Sequence, residues 1–288
     1  MLMEPPQVLV VAYGCPGLLD DALGDVASLR VVVVDNSSSH EVEEVAGRHG
    51  AIYVDPGSNL GFAAGVNRGL QEISAGHDVL LLNPDARIGA TAVGQLQERL
   101  HRPGSHLAAV APAQRDGHGA WQRVEWPIPS PALAWADALG LHLLPWFRSR
   151  RGQHFLTGSI LLLNAEALHD VGHFDERFFL YSEETDWQRR AADHGWAVEL
   201  ASEVTGFHLG AATSGDEQVR ETHFHASGER FIRKWYGDRG WTLYRVAVIL
   251  GALLRGALLG GDRAVRSRRR ARLFLLGPLK AELHLPSR

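Results

Sequence analysis

The sequence predicts an α/β protein built on a doubly wound parallel sheet, and three observations carry that prediction. Short β-branched runs alternate with helix-like segments over the first hundred residues. The runs are near-continuously apolar, as strands buried on both faces are. Each run also ends in turn chemistry, where an open α/β sheet binds its ligands at the carboxyl ends of its strands. Residues 7–13 read as the first strand, followed by a helix over 18–28. A second strand (30–34) leads into a helix (40–49), a third (51–54) into a helix (65–73), and a fourth (78–82) into a helix over about 89–101.

Composition narrows the class further. A chain of 288 residues that is 45% hydrophobic and 22% charged can bury a sizeable core, which excludes a disordered or multi-span membrane chain. The single cysteine, Cys15, excludes an internal disulfide and any all-cysteine metal cluster, so a reducing, cytoplasmic setting is expected. Residues 1–6 carry one acid and no base, and predict no targeting segment. The net charge of −4 conceals an asymmetry: residues 263–288 hold eight basic residues against Glu282 alone, a charge of +7, leaving −11 on residues 1–262. So acidic a body predicts no nucleic-acid partner.

The pattern loosens over 103–151, where six prolines alternate with Trp121, Trp126, Trp135 and Trp146. This stretch reads as a variable, partly looped insertion whose aromatics either meet a sugar or lipid or simply pack on the surface. Order returns with a strand over 159–163 and a helix over 165–171, then a dense polar stretch over 174–187. Residues 246–260 are apolar, interrupted by Arg255 and bounded by Arg245, and lead into the basic tail. The uninterrupted run falls short of the roughly 20 residues a spanning helix needs. An in-plane amphipathic helix with arginines at the headgroups is expected; the alternative is a core helix with a solvated tail.

Five stretches carry chemistry. Val31 to Val34 lead into Asp35-Asn36-Ser37-Ser38-Ser39, an acid at a strand's carboxyl end. Such a carboxylate accepts a hydrogen bond from a ribose hydroxyl or a pyrimidine N3–H, or else it caps the next helix. Asn59-Leu60-Gly61-Phe62-Ala63-Ala64-Gly65-Val66-Asn67 sets glycines four apart, so Gly65 and Gly69 predict close helix packing. Asn59 and Asn67 flank that helix start and are placed to hold a ribose or phosphate. Asn83-Pro84-Asp85 ends the fourth strand with two oxygen ligands for a divalent cation, or is a plain turn. Phe174 to Trp187 gathers five acids among aromatics; Ser182 reads as an N-cap with Glu183, Glu184 and Asp186 in the first turn, and a carboxylate in a partly apolar cleft suits a general base. Finally, His208 lies in a glycine-rich loop over 206–215, either structural or an imidazole metal ligand.

In this order the first four stretches resemble glycosyltransferase family 2, the inverting nucleotide-sugar enzymes of GT-A fold, and within it the bacterial rhamnosyltransferase-like branch. The likeness runs over about 7–235. It implies a mixed doubly wound GT-A sheet flanked by helices with a C-terminal helical extension. A glycosyltransferase domain over 1–240 would comprise a nucleotide-sugar half (1–102) and an acceptor half (152–240), with 241–288 as helix and basic tail. Asp35 then reads the pyrimidine, with Ala12 and Tyr13 lining the pocket and Asn67 near the nucleoside. Asp85 becomes the ligand of Mg²⁺ or Mn²⁺, with Asn83 a weaker neighbour and His208 completing the site. The family's base is the Asp of a Glu-Asp pair, which falls here on Glu184 after Glu183; this departure leaves Asp186 in reserve. The resemblance implies transfer of a sugar, rhamnose favoured, from a dTDP- or UDP-sugar to a glycan or polyprenyl-linked acceptor in cell-wall or surface-polysaccharide assembly. The enzyme would sit peripherally on the anionic inner face of the plasma membrane. Two alternatives stand beside it. A catalytically inactive nucleotide-sugar-binding module is one, since Asn83 and Glu184 depart from the commonest motif. A sugar nucleotidyltransferase is the other, although residues 13–17 offer no basic phosphate loop.

Overall fold

The structure, a computed structural model, describes residues 4–141, 153–210 and 217–285. The chain divides into two compact units. Met1–Trp126, His154–Phe179 and Glu183–Gly215 form the first; Pro127–Gln153, Leu180–Ser182 and Asp216–Arg288 form the second.

In the first unit the expected rhythm is present: β1 (Gln7–Ala12), α1 (Pro16–Asp25), β2 (Val31–Asp35), α2 (His40–Arg48), β3 (Ile52–Val54), α3 (Phe62–Leu70), β4 (Val79–Leu82), β5 (Ala86–Arg87) and α4 (Ala90–Leu100). Next come β6 (Leu107–Arg115), β7 (Trp121–Gln122), β8 (Glu125–Pro127) and, after α5 (Pro131–Ala138), β9 (His154–Leu156), β10 (Ile160–Leu163), α6 (Ala165–Val171), α7 (Glu183–Asp193) and β11 (Ala197–His208). Among the described residues nine strands form one sheet in the order β3-β2-β1-β4-β10-β6-β11-β5, with β7 on β6. The strands β3, β2, β1 and β4 run parallel, β10 runs antiparallel to both β4 and β6, and β11 runs parallel to β6. The sheet is mixed, and its fully buried Val8, Val10, Leu80 and Leu162 anchor one core layer while Leu9, Val32, Leu81 and Leu161 anchor the other. Each such side chain contributes about 1.5–3 kcal/mol of burial.

The glycine stripe packs as its spacing predicts. A Cβ on Gly69 would lie 2.2 Å from Leu9 Cδ1, and one on Gly65 would lie 2.8 Å from Val11 Cγ1, so α3 sits directly on β1. Elsewhere the sequence reading needs correction. The stretch expected to be a looped insertion contains β6, a nine-residue and mostly buried strand near the middle of the sheet. Alanines and Pro112 hide it, both poor strand signals. Pro112 is tolerated because it lies past β6's pairing with β10, where the β6–β11 register shifts. Ser182 also departs from the N-cap expectation: its φ is +68°, as is that of Tyr181, whereas an N-cap is extended.

The second unit holds α5 and three later helices: α8 (Glu217–Leu258), α9 (Gly261–Leu276) and α10 (Pro278–Glu282). The basic tail is therefore mostly helical. The boundary expected near residue 240 falls inside α8, which breaks at Gly237 (φ 65°, ψ −173°), and the division between units falls at 215/216 instead. By length and composition α8 contains an 18-residue window apolar enough to cross a membrane, unlike the short run read from the sequence. One of its faces is packed nonetheless. A Cβ on Gly251 would meet Ala138 at 3.0 Å, Arg255 pairs with Asp137 at 3.1 Å, and Arg268 Nη2 donates to the Gly256 carbonyl at 3.0 Å. Arg255 is thus spent inside the unit and not held at an open face.

Candidate active site

The first unit's chemistry gathers at the carboxyl edge of β1, β2 and β4. There Asp35 ends β2, fully buried. Its Oδ1 accepts from the Ser37 hydroxyl and, at 2.9 Å, from Ser37 N–H; its Oδ2 accepts from Ser39 N–H at 2.7 Å and Tyr53 Oη at 3.0 Å. A carboxylate has about four acceptor positions, and all four are filled. Burial, then the bond to Asp35, holds the Tyr53 hydroxyl above the usual phenol range. The structure therefore gives Asp35 the turn-capping arrangement and not an edge open to a base. Beside it, the backbone of buried Ala12 accepts from Asn36 N–H at 2.9 Å, while Tyr13 is 38% exposed at the end of β1.

The asparagines at the start of α3 are spent similarly. Asn59 Oδ1 accepts from Gly61 N–H at 3.0 Å. Gly61 (φ +80°) is required there, because a Cβ would stand 2.4 Å from the Phe179 carbonyl, which accepts from Phe62 N–H at 2.7 Å. Asn67 is 6% exposed; its Nδ2 donates to the Phe174 carbonyl at 2.8 Å and to Glu176 Oε1 at 2.9 Å, and its Oδ1 accepts from Phe174 N–H at 2.9 Å. Asn67 clamps the acidic stretch in place.

The expected metal pair does come together. The Asn83-Pro84-Asp85 turn closes through Ala86 N–H donating to the Asn83 carbonyl at 3.0 Å, and Asn83 N–H donates to the Ser159 carbonyl at 2.9 Å. His208 ends β11, a strand and not the loop expected, paired there with Ala86 of β5. This register brings His208 Nε2 within 3.4 Å of Asp85 Oδ1, with both side chains largely buried. A carboxylate oxygen and an imidazole nitrogen are donors that a divalent cation takes. Among the described residues no group of three His, Cys, Asp or Glu side chains exists to make a closed site. Residues 211–215 of the expected loop lie outside the described residues, as does Trp146. Trp121 and Trp126 lie on the surface under the guanidinium groups of Arg115 and Arg123.

The acids of α7 divide by partner. Asp186 is fully buried and paired with Arg190 Nε at 3.2 Å, whose guanidinium also binds the Val171 and His173 carbonyls. This removes the reserve base from service. Glu183 and Glu184, by contrast, each keep an Oε2 that is buried and without a hydrogen-bond partner. Burial raises the pKa of Glu184, opposed by hydrogen bonds that include one from Gly158 backbone. Burial and then the Glu184 charge raise Glu183 well above the ordinary carboxylate value. Burial thus raises both carboxyls, and the two titrate as a coupled pair. Gly158 immediately precedes Ser159, which holds Asn83, so Glu184 and the Asn83–Asp85 turn border the same segment.

Sequence reasoning missed two glutamines. Buried Gln114 accepts from Ser159 Oγ at 2.8 Å and leaves its Nε2 unpartnered, and Gln122 binds His208. Neither belongs to a periodic or acidic motif; the strands carrying them lie in the stretch read as an insertion.

The mixed α/β sheet thus carries an acid-imidazole pair and buried carboxylates. The model of "Glycosyl transferase family 2" matches residues 7–172, and the chain belongs to that family and is a glycosyltransferase. The match includes Asp35, Asp85 and Gln122 but ends before Glu184 and His208. The chain is 28% identical over 275 residues to N-acetylglucosaminyl-diphospho-decaprenol L-rhamnosyltransferase of Mycobacterium tuberculosis, covering 84% of this chain and 87% of the relative. Its fold is similar to that of the mannosyltransferase PcManGT from Pyrobaculum calidifontis, solved with GDP-Man and Mn²⁺ (TM-score 0.59, 15% identity, 98% of this chain and 85% of that one). It is also similar to glucosyl-3-phosphoglycerate synthase from Mycobacterium tuberculosis, solved with Mn²⁺, UDP and phosphoglyceric acid (TM-score 0.54, 16% identity, 78% and 77%). The fold is GT-A.

Proposed function

We propose that this glycosyltransferase moves a sugar, rhamnose foremost, from a pyrimidine nucleotide-sugar to a lipid-linked glycan acceptor with inversion at the anomeric carbon. The observation that carries the reading is the buried Glu183–Glu184 pair with unpartnered oxygens, bordering the segment that holds the Asp85 turn. Glu184 accepts the acceptor hydroxyl's proton as that oxygen attacks the anomeric carbon, and the nucleoside diphosphate leaves from the opposite face. No covalent intermediate on the enzyme is needed. Burial of the adjacent Glu183 disfavours a second negative charge beside the developing alkoxide. Asp85 and His208 would hold a divalent cation, with Asn83 beside them; when bound, that cation supplies charge neutralisation for the departing diphosphate. The relative's printed name supports rhamnose and a polyprenyl diphosphate acceptor, and the UDP of one neighbour supports a uracil or thymine base. Asp35 contributes through its turn, which fixes the backbone of 37–39 at the strand edge.

The second unit is read as a seat on the anionic inner face of the membrane. Leu243, Val246, Leu250, Leu253, Leu254 and Leu258 are exposed at helical spacing along one stripe of α8. Among the described residues Arg263, Arg266, Arg270 and Arg272 of α9 form no ion pair, so their charge is available to anionic headgroups. Sedimentation with anionic liposomes is expected and should drop sharply for a Leu250→Asp/Leu254→Asp variant; equal sedimentation of the two would remove this part of the reading. The central test is calorimetry of UDP, dTDP, GDP and ADP with and without Mn²⁺, followed by turnover of dTDP-rhamnose. Mn²⁺-dependent binding of the pyrimidine nucleotides supports the reading; binding of GDP alone overturns the donor class, and binding of none overturns the site.

A further inference from the structure

We infer that Gln122 is a positioning residue that sets the tautomer of His208 and so presents Nε2 to the site beside Asp85. One amide atom of Gln122 lies 2.8 Å from the His208 carbonyl oxygen, which can only accept, so that atom is the NH₂ nitrogen. The other amide atom is therefore the oxygen, and it lies 3.3 Å from His208 Nδ1. A carbonyl oxygen also only accepts, so Nδ1 carries the hydrogen. In the neutral form of a ring so held the lone pair is on Nε2, 3.4 Å from Asp85 Oδ1. Two acceptors left facing one another inside a mostly buried site are an arrangement a cation relieves. This is the outer-shell logic by which the partner of one imidazole nitrogen decides what the other can bind.

The surrounding hairpin is built to deliver this amide. Gln122 is one of only two residues of β7, paired with Gln114 of β6, and its neighbour Trp121 pairs with Arg115 and lies under that residue's guanidinium at 4.0 Å. The connecting turn is fixed by Asp116, whose Oδ1 accepts from His118 N–H and Ala120 N–H, both at 2.9 Å, with Gly119 at φ +79°. From the other side Leu209 N–H donates to the Asp85 carbonyl at 3.0 Å, so the His208 backbone is held at both ends. Gln122 thus fixes ring orientation and tautomer together, which a packing contact alone would not do.

The inference rests on the metal reading of Asp85 and His208, and its test separates the two. The full chain would be labelled with ¹⁵N-histidine, and the His208 ring signals identified by their loss in His208→Asn. The wild type should show protonated Nδ1 and bare Nε2, and Gln122→Met, close in shape but without the amide, should shift toward the mixed tautomers of a free ring. Mn²⁺ titration followed by electron paramagnetic resonance should show binding to Gln122→Met weakened about 10–100-fold, the usual cost of losing an outer-shell partner. A wild-type signal with protonated Nε2, or a Gln122→Met ring unchanged from wild type, overturns the inference whether or not the variant folds well. An unchanged Mn²⁺ affinity in Gln122→Met likewise overturns it. If the wild type binds no Mn²⁺, the metal reading falls, while the nitrogen signals still decide the role of Gln122.

Discussion

Two acidic sites in the first unit make opposite use of buried carboxylates. At residues 35–39 a fully buried Asp35 has every acceptor position filled by its own turn and by Tyr53. At residues 183–184 two adjacent carboxyls each retain a buried oxygen with no partner. A satisfied carboxylate is inert and holds the chain; an unsatisfied one is costly to keep and available to a substrate proton. The Asp85–His208 pair lies between these extremes, because each group has a neighbour that a cation would serve better. Partner count, more than acidity in the sequence, separates scaffold from chemistry here.

Four substitutions test the contrast. Glu184→Gln should show the largest effect, a fall in turnover of about 10²–10⁴-fold with donor affinity retained, as loss of a general base predicts. Unchanged turnover would put the base elsewhere. In the wild type, turnover should fall as pH drops through a Glu184 pKa above the ordinary carboxylate value, and a rate flat across that range would contradict the assignment. Asp85→Asn should weaken Mn²⁺-dependent donor binding by about tenfold or more while leaving the small metal-free component unchanged; the test is calorimetry.

Asp35→Asn should lower unfolding stability by about 1–3 kcal/mol in urea titrations, because an amide nitrogen would face donors that need an acceptor. If it instead abolished nucleotide binding at full stability, Asp35 would belong with the unsatisfied group. The smallest effect is expected from Glu183→Gln, a stabilisation of about 1 kcal/mol at neutral pH, or roughly 2–4 °C in Tm. Its sign follows from linkage. The folded-state pKa of Glu183 is raised, so above the unfolded value the native state binds more protons, and stability falls as pH rises through the folded pKa. The advantage of Glu183→Gln should therefore vanish below about pH 4. A stabilisation independent of pH would show that packing, and not charge, is the cause.

Much of the first unit is legible in the chain because its signals are local. Apolar runs ending in Asp35 and Asn83, and the four-residue glycine spacing that seats α3 on β1, depend only on neighbours along the sequence. The order and type of the first four strands and their helices, the Asn-Pro-Asp turn and the meeting of Asp85 with His208 follow from such signals together with the family resemblance. What the sequence obscured was a strand made of alanines around a proline, and a C-terminal segment that turns helical at Glu217, well before its apolar run at 246–260. Whether each polar group is spent or free was a matter for tertiary structure. Asn67 is silenced by a residue 107 positions away, Asp186 by an arginine that also binds two distant carbonyls, and His208 is oriented by a glutamine 86 positions earlier. Hydrogen-bond satisfaction is a property of what folding brings within about 3 Å, and no pattern along the chain encodes it.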